Sequence, residues 1–171
     1  RDTSGLMLAA KTDAAGLRLM EDIAARDVDR HYLALVHGWI PLDTGLIDAP
    51  IGRSAKDRLR MCVSDRESAR PASTSFRVVR RFEPSRRDDG YTLIDCKLFT
   101  GRTHQIRVHL AHLGHPLLGD DLYGGSTELI ARHALHSARL TLTHPRTGEH
   151  LTIEAPLPMD MAHIVRSNLS K

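Results

Sequence analysis

Three short apolar runs, "RMCV" (60–63), "STSFRVV" (73–79) and "YTLIDCKLF" (91–99), follow one another in the chain with only Gly, Pro and Asp breaks between them. Each has the length and residue types of a β-strand, and the breaks carry turn chemistry. Strands in runs, with few helical stretches among them, argue for an α+β fold: a mostly antiparallel or mixed sheet flanked by a few helices. At 171 residues and 41% apolar content the chain can bury a real core, and its length suits one domain or a compact pair of subdomains.

The flanking segments add to this frame. Residues Ser4 to Lys11 read as a buried strand, because Leu6, Met7, Leu8, Ala9 and Ala10 are continuous and too few for a globular helix. A helix is expected next, with Thr12 as N-cap, Asp13 in its first turn, and Leu17, Met20, Ile23 and Ala24 recurring at helical spacing. "RHYLALVHGWI" is strand-like, with Tyr32, Ala34 and Val36 on one face and Leu33 and Leu35 on the other, so both faces are expected to be covered. "PLDTG" and "DAPIG" read as turn-rich connections. "TGRTHQIRVHLAHLGHP" switches to helical period through Ile106, Leu110 and Leu113, with Thr103 or Thr100 as cap and Gly114 and Pro116 as the stop. "HSARLTLTHP" and "EHLTIEAP", joined by "RTG", read as a hairpin.

Cys62 and Cys96 lie in strand-like runs without CxxC spacing and read as buried thiols. No apolar run approaches the roughly 20 residues of a membrane span, and the cytoplasm is the default compartment. Charge is uneven: between Ile51 and Gly90 eleven Arg and Lys face six Asp and Glu, while the rest of the chain is slightly acidic. Of 24 basic residues 20 are Arg, whose planar fork suits phosphates and bases, although a solvated basic face would have the same composition.

Chemistry-bearing residues are densest from Thr100 to Asp121: Arg102, His104, Gln105, Arg107, His109, His112, His115, Asp120 and Asp121. As metal ligands they match no motif, and His104, His109 and His112 on one helix would spread around its cylinder. As an anion site they offer a glycine turn, Arg102, a helix N-terminus and Arg107. A helix start whose arginines make surface ion pairs explains the same residues equally well.

The segment "TGRTHQIRVHLAHLGHPLLGDDLYGG" closely resembles the third signature of the RluA-type pseudouridine synthases, the ribosomal large subunit pseudouridine synthase family. "RHYLALVHG" resembles the second, and "RDTSGL" resembles the tail of the first, which in the family reads His-Arg-Leu-Asp-Arg-Asp-Thr-Ser-Gly. "APIGR", "RMCV" and "HALHSARLTLTHPRTGE" also follow the family pattern, so the resemblance covers nearly the whole chain. One departure is Arg30, where the family commonly has Lys; another is the loop between Tyr123 and His133, which looks short.

The resemblance implies isomerisation of a uridine already in RNA to pseudouridine. The N-glycosidic bond breaks, the uracil turns, and a C-glycosidic bond forms, with no cofactor and no metal. The target base has to be flipped out or already unpaired. The implied catalytic residues are Tyr32, which stacks on the flipped base, and Arg107, which pairs with the nucleophilic Asp and holds it ionised. That Asp aligns immediately before Arg1. Asp2 would stand about 6 to 7 Å further along the strand, too far to substitute where errors nearer about 1 Å matter, and reads instead as a turn acceptor with Thr3 and Ser4. On this alignment residues 1–171 are the C-terminal portion of one catalytic domain without its N-terminal strands or any preceding S4 domain, and are expected to be inactive alone. Arg107, lacking its partner, is expected to recruit Asp2, an ion or the chain terminus.

Arg102, His104 and Gln105 are expected to meet phosphates or frame the pocket, and Arg53 and Arg60 to belong to an RNA surface running from Arg53 to Arg87. His136 is expected to pack under the sheet, and Gly119, Asp120 and Tyr123 to shape a loop. The implied partner is RNA, large-subunit ribosomal RNA first and tRNA second, with no membrane and no obligate protein partner, the enzyme acting as a monomer. Two other classes compete: a non-catalytic RNA-binding module, and a metal-dependent hydrolase built on the His104–His115 cluster.

Overall fold

A computed structural model of the chain describes residues 2–84 and 89–167. Its centre is a seven-stranded mixed sheet. The strands are β1 (Ser4–Gly5), β2 (Asp29–His37), β3 (Thr44–Asp48), β6 (Ser73–Phe82), β7 (Tyr91–Leu98), β8 (Leu135–Thr143) and β9 (His150–Glu154), in the order β1-β8-β2-β7-β6-β3 with β9 also on β8. Only the β1–β8 pairing is parallel. Two further strands, β4 (Ile51–Arg53) and β5 (Met61–Val63), form a small antiparallel sheet of their own. The helices are α1 (Asp13–Ala25), α2 (Gln105–His112) and α3 (Met159–Ser167), and none is long and apolar enough to cross a membrane.

Strand β2 organises the core. Tyr32, Ala34 and Val36 join Ile94, Cys96, Ile106 and Leu110 beneath α2, while Leu33 and Leu35 join Leu93, Leu118, Met161 and Ile164 beneath α3. Its alternation therefore faces two apolar layers, as expected for a strand covered on both sides. Leu110 is wholly buried, and burial of such a side chain contributes about 1.5–3 kcal/mol.

Several elements differ from the sequence expectation. The run from Ser4 to Lys11 pairs only at Ser4 and Gly5, because from Ala138 onward the same edge of β8 is occupied by Ala155 and β9. The remainder leaves the sheet, with Leu6 and Leu8 packing near α1 and Met7 exposed. In α1 the cap is as expected: Thr12 is extended, and its Oγ1 accepts from the Ala15 N–H at 3.3 Å. The buried stripe, however, runs through Leu19 and Ile23 against Val28, Leu140 and Leu142, leaving Leu17 and Met20 exposed. The turn-rich stretches around Thr44 and Ile51 form β3 and β4. Both cysteines are free; Cys96 is buried, but Cys62 is half-buried because its strand lies in the small sheet.

Helix α2 starts without the threonine cap. His104 occupies the N-cap position with φ +56° and makes no side-chain capping bond. The Gln105 side chain instead ties down the loop that leads into the helix: its Oε1 accepts from the Thr100 hydroxyl at 2.7 Å and from the Arg102 N–H at 2.9 Å. Its amide donates to Ser73 O at 3.0 Å and Thr74 Oγ1 at 2.9 Å. The Thr74 hydroxyl can then donate to His109 Nδ1 (2.9 Å), whose Nε2 donates to Ala49 O (3.0 Å). This buried polar relay fastens α2 to β6 and to the turn between β3 and β4, and every member has a partner.

Candidate active site

A cleft of about 550 Å³ opens between the N-terminus of α2 and the start of β8. Tyr32, Arg102, His104, Gln105, Arg107 and His133 line it, and the segment Thr3 to Met7 forms one wall. Residues far apart in the chain meet here because β2 and β8 are sheet neighbours: Tyr32 lies directly across from Ser137. The Tyr32 hydroxyl has no hydrogen-bond partner among the described residues, leaving a half-buried aromatic face and a phenol available to a ligand.

Arg107 is not left without a partner. Its Nε and Nη2 each donate to one carboxylate oxygen of Asp120 at 2.7 Å, a bidentate pair in which Asp120 is fully buried and Arg107 nearly so. The Tyr123 ring covers the guanidinium at 4.8 Å. Asp120 also shapes its loop as expected, since its carbonyl accepts from the Tyr123 and Gly125 N–H groups. Its second role as the counter-ion of Arg107 corrects the expectation of an unpaired cation. The bidentate fork fixes the plane of the guanidinium and leaves its remaining N–H donors for the cleft.

Tyr123 links this pair to the small sheet. Its hydroxyl accepts from the Met61 N–H at 3.0 Å and lies 2.9 Å from His104 Nδ1. Burial, and then the charge of Arg107, lower the pKa of His104, so its neutral ring can accept the phenol proton. Burial raises the pKa of Tyr123, which keeps that proton in place at neutral pH. His133 is likewise held below the ordinary imidazole range by burial and then by Arg107, and its Nε2 meets Thr3 Oγ1 at 2.9 Å. Two neutral imidazoles thus flank one permanent cation.

The structure brings Tyr32, Arg102, His104, Gln105 and Arg107 to the cleft wall. Arg102 donates from Nε to Pro71 O at 3.0 Å, and the Arg30 guanidinium rests against Gly101, where an added Cβ would lie 2.8 Å from Nη1. Gln105 spends its hydrogen-bonding capacity inside the protein and so frames the site. Arg53 and Arg60 are exposed on the β4–β5 arm outside the cleft lining, Arg53 bonded to Arg58 O and Arg60 to Asp57. Arg86 and Arg87 lie outside the described residues. Asp2 is exposed and is not part of the cleft lining.

The histidines of the helical segment do not converge. His109 is tied to Thr74 and Ala49, His115 donates to His37 O at 2.9 Å, and His112 is exposed. Among the described residues no three His, Cys, Asp or Glu side chains are grouped to hold a metal ion. His136 is buried, bonded to Ser4 Oγ and Ala155 O. Sequence reasoning passed over His133 and Ser137 as cleft residues: both stand in the segment "HALHSARLTLTHPRTGE" that follows the family pattern, which gave neither a role, and the structure sets them beside Thr3 and Gly5 at the cleft.

Comparison with solved structures defines the class. Human RNA Pseudouridylate Synthase Domain Containing 1 superposes with a TM-score of 0.71 at 26% identity, covering 95% of this chain and 74% of that one. Human RNA Pseudouridylate Synthase Domain Containing 4 shares the fold with a TM-score of 0.68. The architecture is that of a pseudouridylate synthase domain.

The family model described as RNA pseudouridylate synthase matches residues 1–112. Ribosomal large subunit pseudouridine synthase D of Nitrosomonas europaea is 45% identical, over 98% of this chain and 48% of its own length. The uncharacterized RNA pseudouridine synthase YlyB of Bacillus subtilis is 46% identical, over 100% of this chain and 54% of its own length. The chain belongs to the RluA-type RNA pseudouridine synthase family. It spans about half the length of the curated relatives it matches.

Proposed function

We propose that the chain supplies the base-binding part of an RNA pseudouridine synthase active site, and that the complete protein isomerises a uridine of large-subunit ribosomal RNA to pseudouridine. The observation that carries this reading is the cleft of a family member in which the Tyr32 ring and the buried, bidentate Arg107 line one cavity. Arg107 offers a fixed cation to the nucleophilic carboxylate, holding it ionised and setting its rotamer. Tyr32 offers a ring for the flipped uracil to stack on, and a phenol in reach of it. The arginines on the β4–β5 arm and on β6 would meet RNA phosphates, which position the substrate without reading its sequence.

On this reading the carboxylate comes from the residue that aligns before Arg1. Without that carboxylate residues 1–171 are inactive by themselves, and the complete protein is a monomeric cytoplasmic enzyme. The name that the Nitrosomonas europaea relative carries supports ribosomal RNA as the substrate.

The test incubates the protein from its complete reading frame, and residues 1–171 alone, with unmodified ribosomal RNA. Pseudouridine is read by chemical labelling and primer extension. A discrete modified site with the first and none with the second is the expected result. Activity of residues 1–171 alone would return Asp2 to consideration, and inactivity of both on ribosomal RNA and tRNA would remove the reading.

A further inference from the structure

Ser137 is 2% exposed and lines the cleft, yet its hydroxyl is shielded from solvent and has no hydrogen-bond partner among the described residues. Its neighbours give it no partner. Tyr32 lies across from it on β2, Gly5 lies beside it on β1, and Leu135 precedes it on the same face of β8. The backbone there is fixed: a Cβ at Gly5 would stand 2.1 Å from Ser137 O, so β1 clamps this residue of β8 at van der Waals distance. A buried hydroxyl left unsatisfied is costly, whereas alanine in the same place would cost nothing in hydrogen bonds. Gln105, Arg107 and Asp120 in the same region are satisfied, and the other unpartnered buried atom near it, Arg30 Nε, belongs to a residue outside the cleft lining. An orphan hydroxyl in the wall of a binding cavity is what a ligand-directed group looks like before its ligand arrives.

We propose that the Ser137 hydroxyl donates to a carbonyl oxygen of the pyrimidine ring held in the cleft against Tyr32, and so positions the base during its rotation. A change of χ1 from one staggered well to another is the motion available to bring Oγ to the base. Ser137 is a positioning residue and exchanges no proton with the base. The inference rests on the pseudouridine synthase reading and deepens it.

The test compares wild type, Ser137→Ala and Ser137→Cys in the protein from its complete reading frame, by thermal unfolding and by single-site pseudouridine kinetics on ribosomal RNA. Because the hydroxyl has no partner in the folded protein, S137A should unfold at the same temperature as wild type or higher. Its kcat should fall about tenfold, with KM for RNA within about twofold because phosphate contacts dominate binding. S137C, which keeps a side chain of the same shape but a slightly larger and far weaker hydrogen-bonding atom, should follow S137A in kcat. An unchanged kcat in S137A, a lowered unfolding temperature, or a cysteine variant as active as wild type would each overturn the assignment. An inactive wild type would instead fail the functional reading, and this inference with it.

Discussion

Arg107 on α2 and Asp120 in the loop before β8 form a two-bond, 2.7 Å ion pair whose carboxylate has no exposed surface. They lie thirteen positions apart in the chain, and the Tyr123 ring closes the third side. The pair holds the cleft's cation in one orientation, so the electrostatics of the site are built into the fold itself.

Removing one partner of such a pair should cost more than the pair contributes, because a desolvated charge remains. Asp120→Asn keeps the volume and leaves Arg107 without its counter-ion; about 3–5 kcal/mol of stability should be lost. Urea unfolding measures it. The double variant with Arg107→Met should recover part of that loss, and a double variant as unstable as the sum of the two singles would show that the residues are not coupled.

Stability should fall on the acid side of neutrality. Burial, as the first cause, lowers the folded-state pKa of His104, His109 and His133. The unfolded chain therefore takes up protons near pH 6.5 that the folded chain refuses. Stability present above pH 6.5 is lost as pH drops from there through the lowered folded values. Unfolding free energies at pH 7.5, 6.5 and 5.5 should decline in that order, and His109→Gln should start lower and decline less steeply. A flat profile over this range would contradict the burial of these rings.

Much of the fold is legible in the chain because it follows from local rules: the Thr12 cap, the two-faced β2, the long strands β6 and β7, and the hairpin of β8 and β9. What escapes is set by distant competition. Leu6 to Ala10 have strand composition, but Ala155 and β9 take the edge of β8 they would need. Leu17 has the helical spacing of a core residue, yet α1 turns Leu19 and Ile23 inward because the apolar surface of β8 lies on that side. At the site, motif context singles out Tyr32 and Arg107. Nothing local reveals that Asp120 neutralises Arg107, that Gln105 fastens its helix to β6, or that Ser137 reaches the cleft, because each depends on which elements become neighbours.

Cys96 should behave as an inert thiol. It is wholly buried, and burial, followed by the charge of Asp95, raises its pKa far above neutrality, so almost no thiolate exists to react. Alkylation of the native protein with iodoacetamide should label Cys62 alone, and Cys96 should be labelled only after denaturation. Peptide mass mapping distinguishes the two. Labelling of Cys96 at the same rate as Cys62 in native protein would mean that the layer beneath α2 opens readily.

Arg107→Lys tests whether the cleft needs a cation or needs this cation's shape. Lysine keeps the charge but cannot make two parallel bonds to Asp120, nor present a fixed plane beneath Tyr123. The fold should lose little beyond the second bond and the ring contact, about 1–2 kcal/mol. On the function proposed above catalysis should lose far more, because an ammonium free to rotate would no longer set the rotamer of the proposed attacking carboxylate, and misplacement by about 1 Å costs on the order of a hundredfold. In the protein from its complete reading frame, kcat for pseudouridine formation should fall about a hundredfold, with KM for RNA nearly unchanged. If kcat falls no further than the stability loss explains, charge alone is sufficient, and the bidentate geometry serves folding and not reaction.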